Sequence, residues 1–198
     1  MTYATLSDLR AYIGVDDQQD DAALVIALDA TVPMIDGYCG RSFAAAGTAT
    51  SARVYAADVA DLVYIDDAAT VSQVETYDGS AWTVWAADDW QGEPLNGRNL
   101  GMDWPTTRMR AVGDYAFPVT AKAWVRVTAA WGWTQTPQVV QQATLLQASR
   151  LFRRRDSVLG FAGGPETGLI RVGRALDGDV AQLLAPYRTG VAAVGGLA

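Results

Sequence analysis

From Leu6 onward the apolar residues recur at helical spacing. Leu6, Leu9, Tyr12 and Ile13 lie along one side of a short segment that Thr5-Leu6-Ser7-Asp8 opens with a Ser/Thr-x-x-Asp variant of the capping box. Gly14 closes it. Asp20 or Asp21 can cap a second helix, whose stripe of Leu24, Leu28, Thr31, Val32 and Ile35 runs to Gly37 and Gly40 and predicts a single amphipathic, core-facing helix. From about Ala52 to Trp133 the period changes to two, through Val54, Tyr55, Leu62 to Ile65, Val71, Val74, Trp82, Val84, Trp85 and Val125 to Val127. This is β structure. Asp78-Gly79-Ser80 and Asn96-Gly97 supply turn residues able to take positive φ, and Trp104-Pro105 and Phe117-Pro118 mark breaks or strand edges. The final strand, Ala121 to Trp131, sets Ala123, Val125, Val127 and Ala129 against Trp124, Arg126, Thr128 and Ala130, so that one face is buried and the other partly wet.

Helical spacing returns at Thr136, which caps a helix with Pro137 in its first turn. Val139, Ala143, Leu145, Leu146, Ala148, Leu151 and Phe152 give that helix an apolar surface wide enough for two contacts. A glycine-rich stretch from Gly160 to Gly168 leads to an extended piece, Leu169 to Val172. Asp177 caps a last helix carrying Val180, Leu183 and Leu184, which stops before Pro186, and the small residues from Thr189 to Ala198 make a flexible tail. The expected fold is α+β: a small helical core of about four helices, interrupted between the second and third by a β-rich insertion. The expected segments are 1–48 for the first helices, 49–133 for the insertion, 134–188 for the later helices and 189–198 for the tail.

Composition narrows the function. At 198 residues and half apolar, the chain can bury one good core with an appended subdomain. A net charge of −7 argues against holding nucleic acid by neutralising phosphates, so any contact with DNA is loose or local. Cys39 is the single cysteine, which rules out an intrachain disulfide, and beside Tyr38 and Phe43 it reads as a small packed hydrophobe. Met1-Thr2-Tyr3 opens no basic-then-apolar leader and no run of eighteen apolar residues occurs, so neither secretion by that route nor a membrane span is expected. The cations are almost all arginine, with Lys122 the only lysine; a high-GC genome and charged subunit contacts both account for this.

Most site chemistries are excluded. With no histidine, neither a Ser-His-Asp nor a Cys-His nucleophile can be built, and a lone cysteine makes no thiolate metal cluster. Gly163-Gly164-Pro165-Glu166-Thr167-Gly168 lacks the Gly-Lys-Ser/Thr ending of a phosphate loop. The carboxylate pairs Asp16/Asp17, Asp20/Asp21, Asp66/Asp67 and Asp88/Asp89 could in principle hold a hard metal or hydrolyse a glycoside, through a pair such as Asp66 and Asp89 in one cleft. As adjacent residues, however, they read as caps, turns and solvated faces. No catalytic residue, cofactor or metal is assigned. Trp82, Trp85, Trp90 and Trp104 could form a sugar-binding platform, which keeps a glycan-binding surface protein as the alternative to core and interface packing. Arg150, Arg153, Arg154 and Arg155 form the one basic cluster; they suit either a helix C-terminus, whose dipole favours cations, or acidic groups of a neighbouring subunit.

Two stretches resemble the head-tail connector (adaptor) proteins of long-tailed double-stranded-DNA bacteriophages. The first is Leu6-Ser7-Asp8-Leu9-Arg10-Ala11-Tyr12-Ile13-Gly14-Val15, with the helix ending Ile35-Asp36-Gly37-Tyr38-Cys39-Gly40-Arg41-Ser42-Phe43. The second is Val125-Arg126-Val127-Thr128-Ala129-Ala130-Trp131-Gly132-Trp133, then Pro137 with its helix through Arg155, Asp156-Ser157-Val158-Leu159-Gly160, Ile170-Arg171-Val172 and Asp179-Val180-Ala181-Gln182-Leu183-Leu184-Ala185-Pro186-Tyr187-Arg188. The resemblance implies a non-enzymatic structural subunit of the virion neck, made in the host bacterial cytoplasm. Such subunits close into a ring, usually dodecameric, between the portal protein and a stopper or tail-completion protein, and DNA passes through its centre. No membrane is implied. On this reading Arg150, Arg153, Arg154, Arg155, Ile170, Arg171, Arg174, Tyr187 and Arg188 are the expected contacts with identical subunits and the portal.

Overall fold

The computed structural model describes residues 2–96, 103–154, 161–162, 170–171 and 176–189. Gly97, Arg155, most of the glycine-rich stretch, Arg174 and the tail beyond Thr189 lie outside them. The described fold is α+β, with four α-helices and a six-stranded antiparallel sheet whose strands all fall between the second and third helices in chain order. The chain divides into two compact units, one from Met1–Phe43 with Thr136–Ala198 and one from Ala44–Gln135.

In the helical unit, α1 (Leu6–Ile13) starts as the sequence predicts. The Thr5 hydroxyl accepts from the Asp8 amide at 3.1 Å, and the Asp8 carboxylate accepts from the Thr5 amide at 2.9 Å. Gly14, at φ 71°, ends the helix in the left-handed region. Arg10 then ties α1 to α2 (Asp21–Cys39), its Nε donating to Asp21 at 2.7 Å. Asp20 stands at the cap position of α2, but its side chain makes no cap hydrogen bond.

α3 (Gln138–Arg154) packs against α1, α2 and α4 (Gly178–Leu184). Leu9, Leu24, Ala27 and Leu28 close around Ala148, with Leu145, Leu151 and Phe152 at the rim. Removing Leu24, which is fully buried, to alanine costs roughly 2–5 kcal/mol in transfer and cavity terms. A second contact set runs edge-to-face from Tyr3 to Phe43 (5.9 Å) and from Phe43 to Tyr187 (5.7 Å). The Tyr3 hydroxyl donates to Asp36 at 2.5 Å, and burial with that bond pushes its pKa up to about 12. Cys39 is buried as expected, and burial pushes its thiol up to about 11.

Two expectations need correction here. The Thr136 hydroxyl does not cap α3; it donates to the Phe43 carbonyl at 3.0 Å, and the Pro137 carbonyl accepts the first helical bond, from Gln141. The buried face of α3 is Val140, Ala143, Thr144, Gln147, Ala148 and Ser149, more polar than the predicted stripe. Thr144 resolves its burial by donating to the Val140 carbonyl at 2.8 Å. The last helix does end before Pro186, at Leu184, and the chain continues into a 3₁₀ turn, Ala185–Tyr187, where proline at an early position costs no hydrogen bond.

In the β unit the sheet order is β1-β6-β2-β5-β4, with β3 also paired to β2. The strands are β1 (Ser51–Tyr55), β2 (Leu62–Tyr77), β3 (Trp82–Val84), β4 (Trp90–Glu93), β5 (Thr106–Ala111) and β6 (Val125–Trp131). The apolar groups near 62–65 and 71–74 are one long strand, with register shifts between Tyr64 and Ala68 and between Val71 and Gln73. At the β2–β3 turn the Asp78 carboxylate accepts from the Ser80 and Ala81 amides, and Gly79 takes φ 105°. β6 is shorter than predicted, because Ala121 to Trp124 lie outside the ladder. Its alternation holds from Val125: Val125, Val127 and Ala129 join Val63, Val74, Trp85, Met109 and Phe117 in the core. Just beyond β6, a Cβ on Gly132 would come within 2.6 Å of the Ala44 carbonyl, and its φ is 121°, so only glycine fits. Separately, β7 (Phe161–Ala162) pairs antiparallel with β8 (Ile170–Arg171), each two residues long.

Candidate interaction surfaces

The arginine cluster meets acids of its own chain. Arg150 grips Asp179 with both guanidinium nitrogens, at 2.7 and 2.5 Å, and reaches Asp177 at 3.1 Å, while Arg154 lies 3.3 Å from Asp177. Asp177, expected only as a cap, stands at the N-cap of α4 without a side-chain cap bond; its carboxylate is drawn to the two arginines and its amide donates to Gln147 at 3.2 Å. The Arg150 bond holds the Asp179 carboxyl down at about 2. Thus the last turn of α3 is fastened to the first turn of α4, and within the cluster's described part Arg153 is the exposed member.

Tyr187, expected at a subunit contact, is 3% exposed and points into the core against Phe43, which leaves it without the surface such a contact needs. Arg188 is exposed, with its guanidinium 5.0 Å from the Tyr38 ring. Ile170 and Arg171 form β8, whereas Arg155 and Arg174 are outside the described residues.

The four tryptophans considered as a platform do not share a face. Trp85 is buried, stacked on Phe117 at 4.8 Å, and Trp90 packs against the same core. Trp104 leans on Trp133, and Trp82 belongs to the opposite side of the sheet. Nor do the carboxylate pairs converge: Asp66 binds Arg53 and the Tyr55 hydroxyl, Asp67 accepts from Trp133, and Asp89 accepts from the Ala86 amide. Among the described residues no cluster of acids or cysteine is arranged to hold a metal ion.

Two surfaces escaped the sequence reading. One is the open face of the sheet, where Val54, Arg126, Glu75 and Val84 stand opposite one another across β1, β6, β2 and β3. Glu75 is 6% exposed and held bidentately by Arg126, which keeps its carboxyl below the usual range. The same guanidinium lies 4.2 Å from the Trp82 ring, Tyr77 packs between Trp82 and Trp124, and the Lys122 ammonium sits 5.2 Å from Trp124. Aromatic rings, aliphatic side chains and cations together are the composition of a protein-binding surface.

The other is the outer side of α2. Its inner side buries Leu24, Ala27, Leu28, Thr31, Ile35 and Cys39, yet Val25 and Ile26 are exposed, Ile26 to 68%. The helix is therefore apolar on two sides, not amphipathic as expected, and by length and composition it could cross a membrane. Continuous apolarity from Ala22 to Pro33, broken only by Asp29 and Thr31, was the available signal.

No family model matches the chain, and no curated protein does. Solved structures do. A chain from the neck of an empty gene transfer agent particle, computed with C6 symmetry, aligns at TM-score 0.56 and 20% identity over 94% of this chain and 90% of its own. One from the neck of the native particle, computed with C12 symmetry, gives TM-score 0.55 and 21% identity over 94% and 89%. One from the virion of the native particle gives TM-score 0.54 and 21% identity over 94% and 90%. At that identity the likeness establishes the fold: nearly end to end, this chain is folded like chains of a gene transfer agent neck.

Proposed function

We propose that the chain is a structural subunit of a phage-type virion neck, a head-tail connector (adaptor) that forms a ring of identical copies between portal and stopper or tail. The observation that carries this is the fold match over 94% of the chain to neck chains from particles treated with C6 and C12 symmetry. The charge fits such a role. A ring of subunits at −7 each repels a passing duplex and so does not grip it. The function is assembly, not catalysis. Arg153, Arg155, Arg171, Arg174 and Arg188, with the 160–174 stretch, serve contacts to the portal or a neighbouring copy, while Arg150 and Arg154 fasten α3 to α4.

The test is to mix the purified full-length protein with its cognate portal and image the product by electron microscopy. A closed ring stacked on the portal is expected. Absence of any association across several salt concentrations overturns the reading, and glycan binding without rings would replace it with a sugar-binding role.

A further inference from the structure

We infer that the outer stripe of α2 in one copy docks on the open face of the sheet in the next copy, with Asp29 facing Lys122 across the contact. This rests on the ring reading above and names the surfaces that build the ring.

Ala22, Val25, Ile26, Asp29, Ala30 and Pro33 are all exposed and follow one another at intervals of three and one, so that neighbours stand three or four apart and form a single stripe. A helix that buries its other side within its own unit ordinarily turns polar residues outward. This one offers a single charge, Asp29. Pro33 has no N–H to give the Asp29 carbonyl one turn earlier, so the centre of the stripe presents two kinds of acceptor, carboxylate and backbone carbonyl, in apolar surroundings.

The sheet's open face is the counterpart. Val54 and Val84 are 52% and 57% exposed, and half-buried Trp82 and Trp124 lie beside them. Its acid, Glu75, is already taken by Arg126. What remains is donor character, above all the exposed ammonium of Lys122, which has three N–H groups to give.

Charge also decides which surfaces meet. A two-fold pairing of stripe on stripe sets Asp29 against Asp29, and open face on open face sets Lys122 against Lys122; both are penalised. Stripe on open face pairs opposite charges and buries apolar surface on both sides. Because the two surfaces differ, the contact is head-to-tail, the kind that closes rings. A lipid surface would leave Asp29 desolvated with no partner.

The experiment exploits Lys122 being the only lysine. The assembled full-length protein, alone and on its portal, is treated with a carbodiimide, which joins a carboxylate to an amine only at contact distance. A covalent ladder is expected, with the junction mapped by peptide mass spectrometry to Asp29 and Lys122. Lys122→Arg should keep the ring and lose the ladder. Asp29→Lys or Lys122→Asp alone should weaken association by about tenfold, and the double reversal should restore it. Rings that form without this junction, and that ignore both single reversals, overturn the contact but leave the ring reading standing. A wild-type chain that never oligomerises, alone or with portal, overturns both. If the protein instead floats with phosphatidylglycerol vesicles and Ile26→Glu releases it, the stripe is a membrane surface and the inference fails.

Discussion

Arg150 and Arg126 show how one residue type serves different ends according to what it faces. At Arg150 the partner carboxylate is exposed, so the pair is read best through pH. The folded-state pKa of Asp179, about 2, lies below its usual 3.8, so its contribution is fully present above about pH 4 and is lost as pH falls toward 2. Arg150→Ala should therefore be less stable than wild type at pH 5, and melting curves of the two should converge by about pH 2. At Arg126 the partner is buried. Arg126→Ala strands the Glu75 carboxylate at 6% exposure and should cost about 2 kcal/mol in urea unfolding. Replacing both with leucine should recover most of that loss, since an apolar pair leaves no charge unsatisfied.

Among the elements, α2 carries an expense that its own fold does not explain. An interior proline forfeits a hydrogen bond, so Pro33→Ala should stabilise the isolated chain by roughly 1–3 kcal/mol, measured as a raised urea midpoint. If the free Asp29 carbonyl serves the neighbour, the same variant should assemble less readily. Local signals made some elements legible. The Thr5 and Asp8 box, Gly14 and Gly40 announced helix ends because capping is written in adjacent residues. β6 was legible because Val125, Val127 and Ala129 alternate cleanly. β5 was not, since Thr106–Ala111 has Met109 as its one large apolar residue; the outward Arg108 and Arg110 pair with Glu93, a long-range match that no local period reveals. For the same reason the arginine cluster was legible as a cluster but not in its partners. Asp177 and Asp179 reach Arg150 only after the chain has turned back from α3 into α4. The open face of the sheet was hidden because Tyr77, Trp82 and Trp124 converge only through strand pairing.

Over the whole molecule the dominant electrostatic fact is the excess of acid. Copies at −7 repel one another at long range, whereas any one pair across a contact acts at short range. Raising salt from about 10 to about 150 mM, where the Debye length falls from ~30 to ~8 Å, should thus promote oligomerisation of the wild type, read by sedimentation velocity. A decline over that range would mean that attraction between charges, not apolar burial, holds the copies together. The division of the chain bears on timing as well. Residues 44–135 are contiguous and can fold as soon as they leave the ribosome, but Leu9, Leu24 and Leu28 find Ala148 only after the entire β unit has been synthesised. The first helices therefore wait, with their apolar sides uncovered, until α3 arrives. A nascent chain at that stage is the form most in need of a chaperone, and no surface that depends on α3 is complete before translation of the chain is nearly done.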